Sequence, residues 1–550
     1  MATRNDTVLP DVHGGPDTKP TDEHIELAAV TTYDESQLSI WQALKANPRV
    51  ILYSAIVNLG PILYGYDVIV SGAIVALPGF LNVYGAEIDG YLSLPATWQA
   101  LWTAFVQLGI MVGALSGGWI QDRFGRRLSF FLGGFVSAIG VGIAFGSCYP
   151  ESFLSRRIAF FFAKICIGLG MGFLIATCQT YISEIASPKI RGPLLGLYTF
   201  MATVGQIISI TIIFKRVTIM DISSFEIPFA TQWVFSGLCM IAAIVIPESP
   251  VYLLSKSRVE DAEASYRRLH GPHVDSHAAI SRLWATVEHE QEIAKNVKSV
   301  GFLDCFKGID ARRTRIILIL NAIPQFCGIA IIANGTYYME LCGMNATESF
   351  QLAEIGIGLL LASTVISWFA ISTIGRRLII IMSPIMVGLL YMGMGVAGTF
   401  PVTNRTAWAA GVMLILICFF YGTGLGTAFP VTAAEVSSVR LRAKSSGLGF
   451  FMNAFSAWVF AFVSPYMYSP GAGNGNLGAK TGFVFMGLSF MASVIAYFVI
   501  PETKGLSYAQ IDYLFENKTP TQDFLKPSSL IGFEEIREGK ADLVDKEENV

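Results

Sequence analysis

The sequence predicts an all-α membrane protein with twelve transmembrane helices in two six-helix halves and short cytoplasmic helices between the halves. Three observations predict it. The 550 residues are 53% hydrophobic and only 14% charged, where soluble domains carry about 25% charged residues. Twelve apolar runs lie near 50–78, 97–121, 128–147, 158–181, 193–214, 229–247, 316–339, 352–373, 378–400, 408–431, 446–468 and 481–500, each close to the roughly 20 residues that cross a bilayer. The links between runs are short, except for one polar segment after the sixth.

Residues 1–49 are polar, mixed in charge and carry Pro10, Pro16 and Pro20. They lack a signal-peptide pattern and read as a disordered cytoplasmic tail. The N-terminal half is expected over 50–247, a linker over 248–315, the C-terminal half over 316–500 and a second cytoplasmic tail over 501–550. All but seven of the 38 Lys and Arg fall in the tails, the linker and the even-to-odd loops. The exceptions are Arg156, Arg157, Lys215, Arg216, Arg405, Lys480 and, inside a run, Lys164. The positive-inside rule therefore places both termini in the cytoplasm. Asn345 and Asn404 head sequons in short outer loops and are the glycosylation candidates. In the linker, 258–269 and 287–297 have the spacing of short surface helices.

The first run contains Asp67. A carboxylate at bilayer depth costs roughly 3 kcal/mol or more, so it is expected to be paired, to face a wet cavity or to titrate. Gly60, Pro61, Gly65 and Gly72 are expected to loosen the same helix around the acid. Gln206, Gln325, Asn334 and Asn453 also lie inside runs, and unpaired amides in hydrocarbon are costly. Each is expected to face a cavity or to bond a neighbouring helix, while Tyr337 and Tyr338 either stack on a ligand or pack.

A net charge of −3 excludes a nucleic-acid partner. The eight cysteines show no CxxC or metal spacing and read as apolar fillers. No metal and no cofactor is expected, and no nucleophile–base pair points to an enzyme. Gly168-Leu169-Gly170-Met171-Gly172 lies inside a run and predicts close helix packing rather than nucleotide binding.

Motifs repeat between the halves. Asp122-Arg123-Phe124-Gly125-Arg126-Arg127 follows run two, and Gly375-Arg376-Arg377 follows run eight. Acids recur too: Glu184 ends run four, Glu435 run ten, Glu248 run six and Glu502 run twelve. Glycine permits the turn, and arginine forks suit carboxylates. The expected cytoplasmic gate comprises Asp122, Arg126, Glu184, Glu248, Arg376, Glu435 and Arg442, an ion-pair lattice that locks the halves when the inside is shut.

With Gly65-Tyr66-Asp67, Pro247-Glu248-Ser249-Pro250 and Pro501 to Gly505, these motifs make the chain resemble the sugar porter family of the major facilitator superfamily. Cys327-Gly328, Gly335-Thr336-Tyr337-Tyr338, Ala434 to Arg442 and Asp512 to Asn517 resemble the fungal alpha-glucoside (maltose-type) permeases more narrowly. The resemblance implies the major facilitator fold and a multi-pass protein of the plasma membrane. It implies proton-coupled import of an alpha-glucoside or related sugar, with sugar, proton and lipid bilayer as partners. It places Gln206 and Gln325 at substrate-binding glutamines, Asn453 near a sugar contact, Asn334 less firmly, and Asp67 with Lys164 at the proton-coupling pair. The chain departs from the hexose-carrier pattern: Pro324 replaces the first of two glutamines, Ala330 an asparagine and Pro430 a tryptophan. These changes suit a larger disaccharide or a non-sugar, polyol-like compound. An exporter of such a metabolite, a facilitative carrier and a nutrient sensor are the alternatives; the short C-terminal tail disfavours the sensor.

Overall fold

The computed structural model describes residues 40–526, apart from 89, 272–275, 278, 282, 285–301, 439–440 and 507. The linker helix expected over 287–297, and the tails before 40 and after 526, lie outside the described residues.

Eleven helices there are long and apolar enough to span a membrane. The remaining span, the seventh, is interrupted: Gly308–Phe326, Ile329–Ala333 and Gly335–Leu341 follow one another. Gly328 makes the first break in a left-handed conformation (φ 79°), and a Cβ there would meet the Tyr391 hydroxyl at 2.1 Å. Together these give the twelve spans expected, six before the linker and six after it. The tenth span, Asn404–Val436, kinks at Gly424.

Four boundaries differ from the sequence expectation. Helix begins inside the N-terminal tail, at Ile40–Ala46, and the first span starts at Pro48. The seventh span starts at Gly308 rather than 316, because Arg313 is buried against Asp512 of the helix Tyr508–Glu516 (2.5 Å). A two-stranded antiparallel hairpin, Ala86–Ile88 with Tyr91–Ser93, joins spans one and two. The first span is broken at Asn58, beside Gly60 and Pro61, rather than around its acid: Leu59–Ala73 then runs as unbroken helix through Asp67. Its glycines serve close approach instead. A Cβ on Gly65 would lie 1.8 Å from the Ala202 carbonyl oxygen of span five.

The glycine string of span four (Phe153–Ile185) packs as expected. Cβ atoms on Gly168 and Gly172 would meet carbonyl oxygens of span two (Ala96–Phe124) at 2.4 Å. One on Gly170 would meet the Ser137 nitrogen of span three (Arg126–Gly146) at 2.6 Å.

In the linker, Val259–His270 is helical as its spacing predicts, with Glu260 and Asp261 in its first turn and Arg267, Arg268 and His270 in its last, complementing the helix dipole. It docks on the start of span one. The His270 ring stacks on Tyr266 (4.2 Å between centroids), and its Nδ1 lies 3.1 Å from Asn47 Oδ1. Burial lowers its pKa from the usual 6.5 to about 4. A base whose pKa is depressed by folding contributes stability that is full above 6.5 and declines as pH falls towards 4. The protection factor across 259–271, that is hydrogen exchange divided by its intrinsic rate at each pH, is therefore expected to fall between pH 7 and 5, and His270→Phe is expected to flatten that response. A pH-independent protection factor in the parent protein contradicts this.

Candidate transport site

Asp67 and Lys164 meet inside the N-terminal half, each only 1% exposed, with Nζ 3.3 Å from Oδ1. Two further side chains complete the site. Lys164 Nζ donates to Ser71 Oγ (2.6 Å), which donates to Asp67 Oδ2 (3.1 Å). Gln232 Nε2, from span six, donates to Oδ1 (3.1 Å). The ammonium also lies 5.3 Å from the centre of the Phe160 ring. Spans one, four and six thus converge on one carboxylate. Ser71 sits one helical turn from Asp67, the separation that stacks side chains on one helix face. Desolvating two ions costs several kcal/mol each, and the attraction compensates only when hydrogen bonds satisfy what remains. Here Gln232 and Ser71 supply those bonds, although Gln232 Oε1 is buried without a partner. Sequence reading missed both residues; Gln232, an amide within an apolar run, carried the same signal as the four amides singled out.

Asp67 does not line the cavity between the halves. The neighbouring Val68, Ile69 and Ala73 do: they border a space of about 170 Å³ between the halves, walled also by spans five, seven, eight and ten. Of the four amides, Gln206 lines it and the others do not. Asn334 donates to Ala330 O of its own span (3.0 Å), and Asn453 to Asn321 O across to span seven (3.1 Å). Gln325 is buried within Gly308–Phe326. Tyr337 and Tyr338 are packed, the first accepting from Leu94 N (3.3 Å), the second donating to Gly478 O (3.1 Å).

The arginine motifs form two matching clusters. Arg126 grips Glu184 with both teeth of its fork (Nε–Oε2 3.0 Å, Nη2–Oε1 2.6 Å). Glu248 accepts from the backbone N–H of Arg126 (2.9 Å) and Arg127 (3.3 Å). In the second half Arg376 reaches Glu435 through Nη2 (3.0 Å), while Glu502 accepts from the N–H of Arg376 and Arg377 (both 3.0 Å). Gly125 and Gly375 turn both loops at φ 101° and 109°. A Cβ there would strike Glu248 Oε2 at 2.4 Å or Glu502 Oε2 at 2.6 Å, so glycine is required twice over. Asp122 is 74% exposed and 3.5 Å from Arg126, a weak partner. The side chain of Arg442 lies outside the described residues. Among the described residues these ion pairs run within each half: the acids sit on spans of the same six-helix unit as their arginines.

Arg126→Lys is expected to lower thermal stability more than Arg376→Lys, by about 2 kcal/mol against about 1. The first loses a buried two-toothed grip; the second loses one tooth, its Nε being unpartnered already. Melting curves in detergent check the order, and equal shifts refute it.

Hydrogen bonds between the halves lie toward the face opposite the termini. Besides Leu94 with Tyr337, Gln99 Nε2 donates to Tyr468 OH (2.9 Å), Thr103 Oγ1 to Ala461 O (3.1 Å) and Thr211 Oγ1 to Glu354 Oε1 (2.8 Å). On that face Asn345 caps span eight by accepting from Thr347 N (3.1 Å), and Asn404 opens span ten behind a Thr403–Thr406 capping box.

Two six-helix halves around a shared cavity, with a charge pair buried in one of them, define a multi-pass membrane transporter, not an enzyme. The chain belongs to the sugar (and other) transporter family, whose family model matches residues 53–515. Among its relatives, "MFS transporter fmqE" of Aspergillus fumigatus is 31% identical over 513 residues, 91% of this chain and 93% of that protein. The "General alpha-glucoside permease" of Saccharomyces cerevisiae is 28% identical over 504 residues, 89% and 79% of the two chains. The fold is similar to that of the xylose transporter XylE from E. coli in its inward open conformation (TM-score 0.68, 20% identity, 84% of this chain and 99% of that one). The resemblance to sugar porters and alpha-glucoside permeases read from the motifs stands.

Proposed function

We propose that this protein imports an uncharged small solute together with protons by alternating access, with Asp67 as the proton acceptor and Lys164 as its counter-ion. The observation that carries this reading is the sealed network of Asp67, Lys164, Ser71 and Gln232. A proton on Asp67 cancels the charge that holds Lys164 in place. The ammonium is then a buried cation without a counter-ion, several kcal/mol less favourable, and spans one and four rearrange to relieve it. Because Val68 and Ile69 line the cavity, that movement of span one is felt by a bound solute. The names of the permease relatives support a sugar, an alpha-glucoside, as the solute, and Gln206 offers it an amide. The distribution of Lys and Arg supports cytoplasmic termini and, with the resemblance, a plasma-membrane location. The two arginine clusters then stiffen the cytoplasmic end of each half, so that the halves rock as rigid bodies.

The proton site is tested without knowing the solute. Spin labels on the outer ends of spans two and eleven, in nanodiscs, are expected to report a pH-dependent distance distribution between pH 5 and 8. Asp67→Asn is expected to abolish that dependence. A distribution that ignores pH in the parent protein overturns the reading. Uptake of labelled maltose, glucose and lactose into proteoliposomes, with and without an inward proton gradient, tests the sugar.

A further inference from the structure

We propose that the solute is a neutral, largely apolar ring compound with one or two hydrogen-bonding groups, rather than a free sugar. This rests on the transporter reading, keeps its uncharged solute and departs from the sugar that the relatives' names support. The cavity between the halves is walled by Val68, Ile69, Ile210, Ile332, Ile357 and Leu360, with further apolar side chains between them. Its hydrogen-bonding side chains are the Gln206 amide and the hydroxyls of Thr336 and Tyr421, with the weak Cys418 thiol. No Asp, Glu, Lys, Arg or His lines it, so an ionised solute would find no counter-charge.

Hydroxyl counting decides against a sugar. A hexose carries about five hydroxyls and a disaccharide about eight, and each needs a partner once it leaves water. The wall offers too few. Asn334 and Asn453, the amides that would have made up the shortfall, do not line the cavity, and each donates to a backbone carbonyl instead. An apolar ring system, by contrast, is favoured in proportion to the surface it buries against the isoleucines, and one carbonyl or amide edge can accept or donate at Gln206.

The experiment is equilibrium binding to the full-length protein in nanodiscs without a pH gradient, with empty nanodiscs subtracted. The probes are 7-methoxycoumarin, a neutral fluorescent ring compound with one lactone carbonyl, and maltose. The coumarin is expected to saturate, with Gln206→Leu weakening it about tenfold. Ile357→Thr, which puts a hydroxyl in the wall, is expected to weaken it severalfold, and is the second variant should Gln206→Leu not fold. Maltose is expected not to bind. Binding of maltose alone, or of neither probe, overturns the proposal. Failure of the proton reading leaves this result untouched, since binding needs no gradient; failure here leaves the pH-dependent distances untouched.

Discussion

Replacing Gly72 with alanine is expected to hold the two halves apart at the face opposite the termini. A Cβ on Gly72 would lie 1.8 Å from the carbonyl oxygen of Ala333 and 3.3 Å from the Asn334 Cα. Both belong to the interrupted stretch of span seven, in the other half, and backbone there cannot turn aside as a side chain would. Forcing a methyl into a packed contact costs typically 1–3 kcal/mol. The molecule can avoid that cost by separating the halves. A bias of that size shifts a two-state population by roughly tenfold or more. Gly65→Ala makes an instructive comparison. Its Cβ would also meet a carbonyl at 1.8 Å, that of Ala202, but span five belongs to the same half. No rocking motion relieves it, so the cost falls on folding. Spin-label distances across spans two and eleven, with melting curves, separate the two outcomes. Gly72→Ala should lengthen the distance with a small loss of stability; Gly65→Ala should lose stability with the distance unchanged. Equal conformational distributions in parent and Gly72→Ala would show that this contact does not govern closure.

The second large effect concerns the buried pair. Lys164→Met is expected to cost about 3–5 kcal/mol of stability, because it leaves Asp67 as an uncompensated buried charge. Asp67→Asn is expected to cost somewhat less, since Lys164 keeps its bond to Ser71. The double variant Asp67→Asn/Lys164→Gln removes both charges at nearly constant volume and should recover most of the stability. It should not recover the pH-dependent distances. Recovered stability without coupling is the signature of a proton site; a purely structural ion pair would return both together. Melting curves and the spin-label titration on the same four proteins decide between them.

The wide legibility of this chain comes from the bilayer. Because each span must satisfy its own backbone in hydrocarbon, apolar run lengths alone reveal twelve spans, and the one long polar link reveals the division into halves. The Gly-Arg-Arg turns were equally legible, since glycine followed by arginine with a matching acid recurs in both halves and each glycine proves to have a positive φ. The Asp67–Lys164 contact was legible through the family resemblance, which pairs the two positions; the residues alone said that an acid in hydrocarbon is paired, faces a wet cavity or titrates. Less could be read where geometry between helices mattered. Gln232 and Ser71 join the pair only because spans one, four and six converge at one height. The described ion pairs of the arginine clusters join spans of one half, and a sequence repeat announces a pattern but not which faces meet.

The amides show the same division. One sequence property, a polar side chain within an apolar run, flagged Gln206, Asn334 and Asn453 alike, and only Gln206 lines the cavity. By itself the sequence determined the membrane class, the number and division of spans, the repeated turns and the need for a counter-ion beside Asp67, because these follow from solvation of single segments. The tertiary structure alone decided which face of each helix looks inward, and with it the apolar wall of the cavity and the closure at the face opposite the termini. Helix rotation is fixed by packing between segments distant in sequence, and a hydropathy pattern that is apolar all round does not encode it.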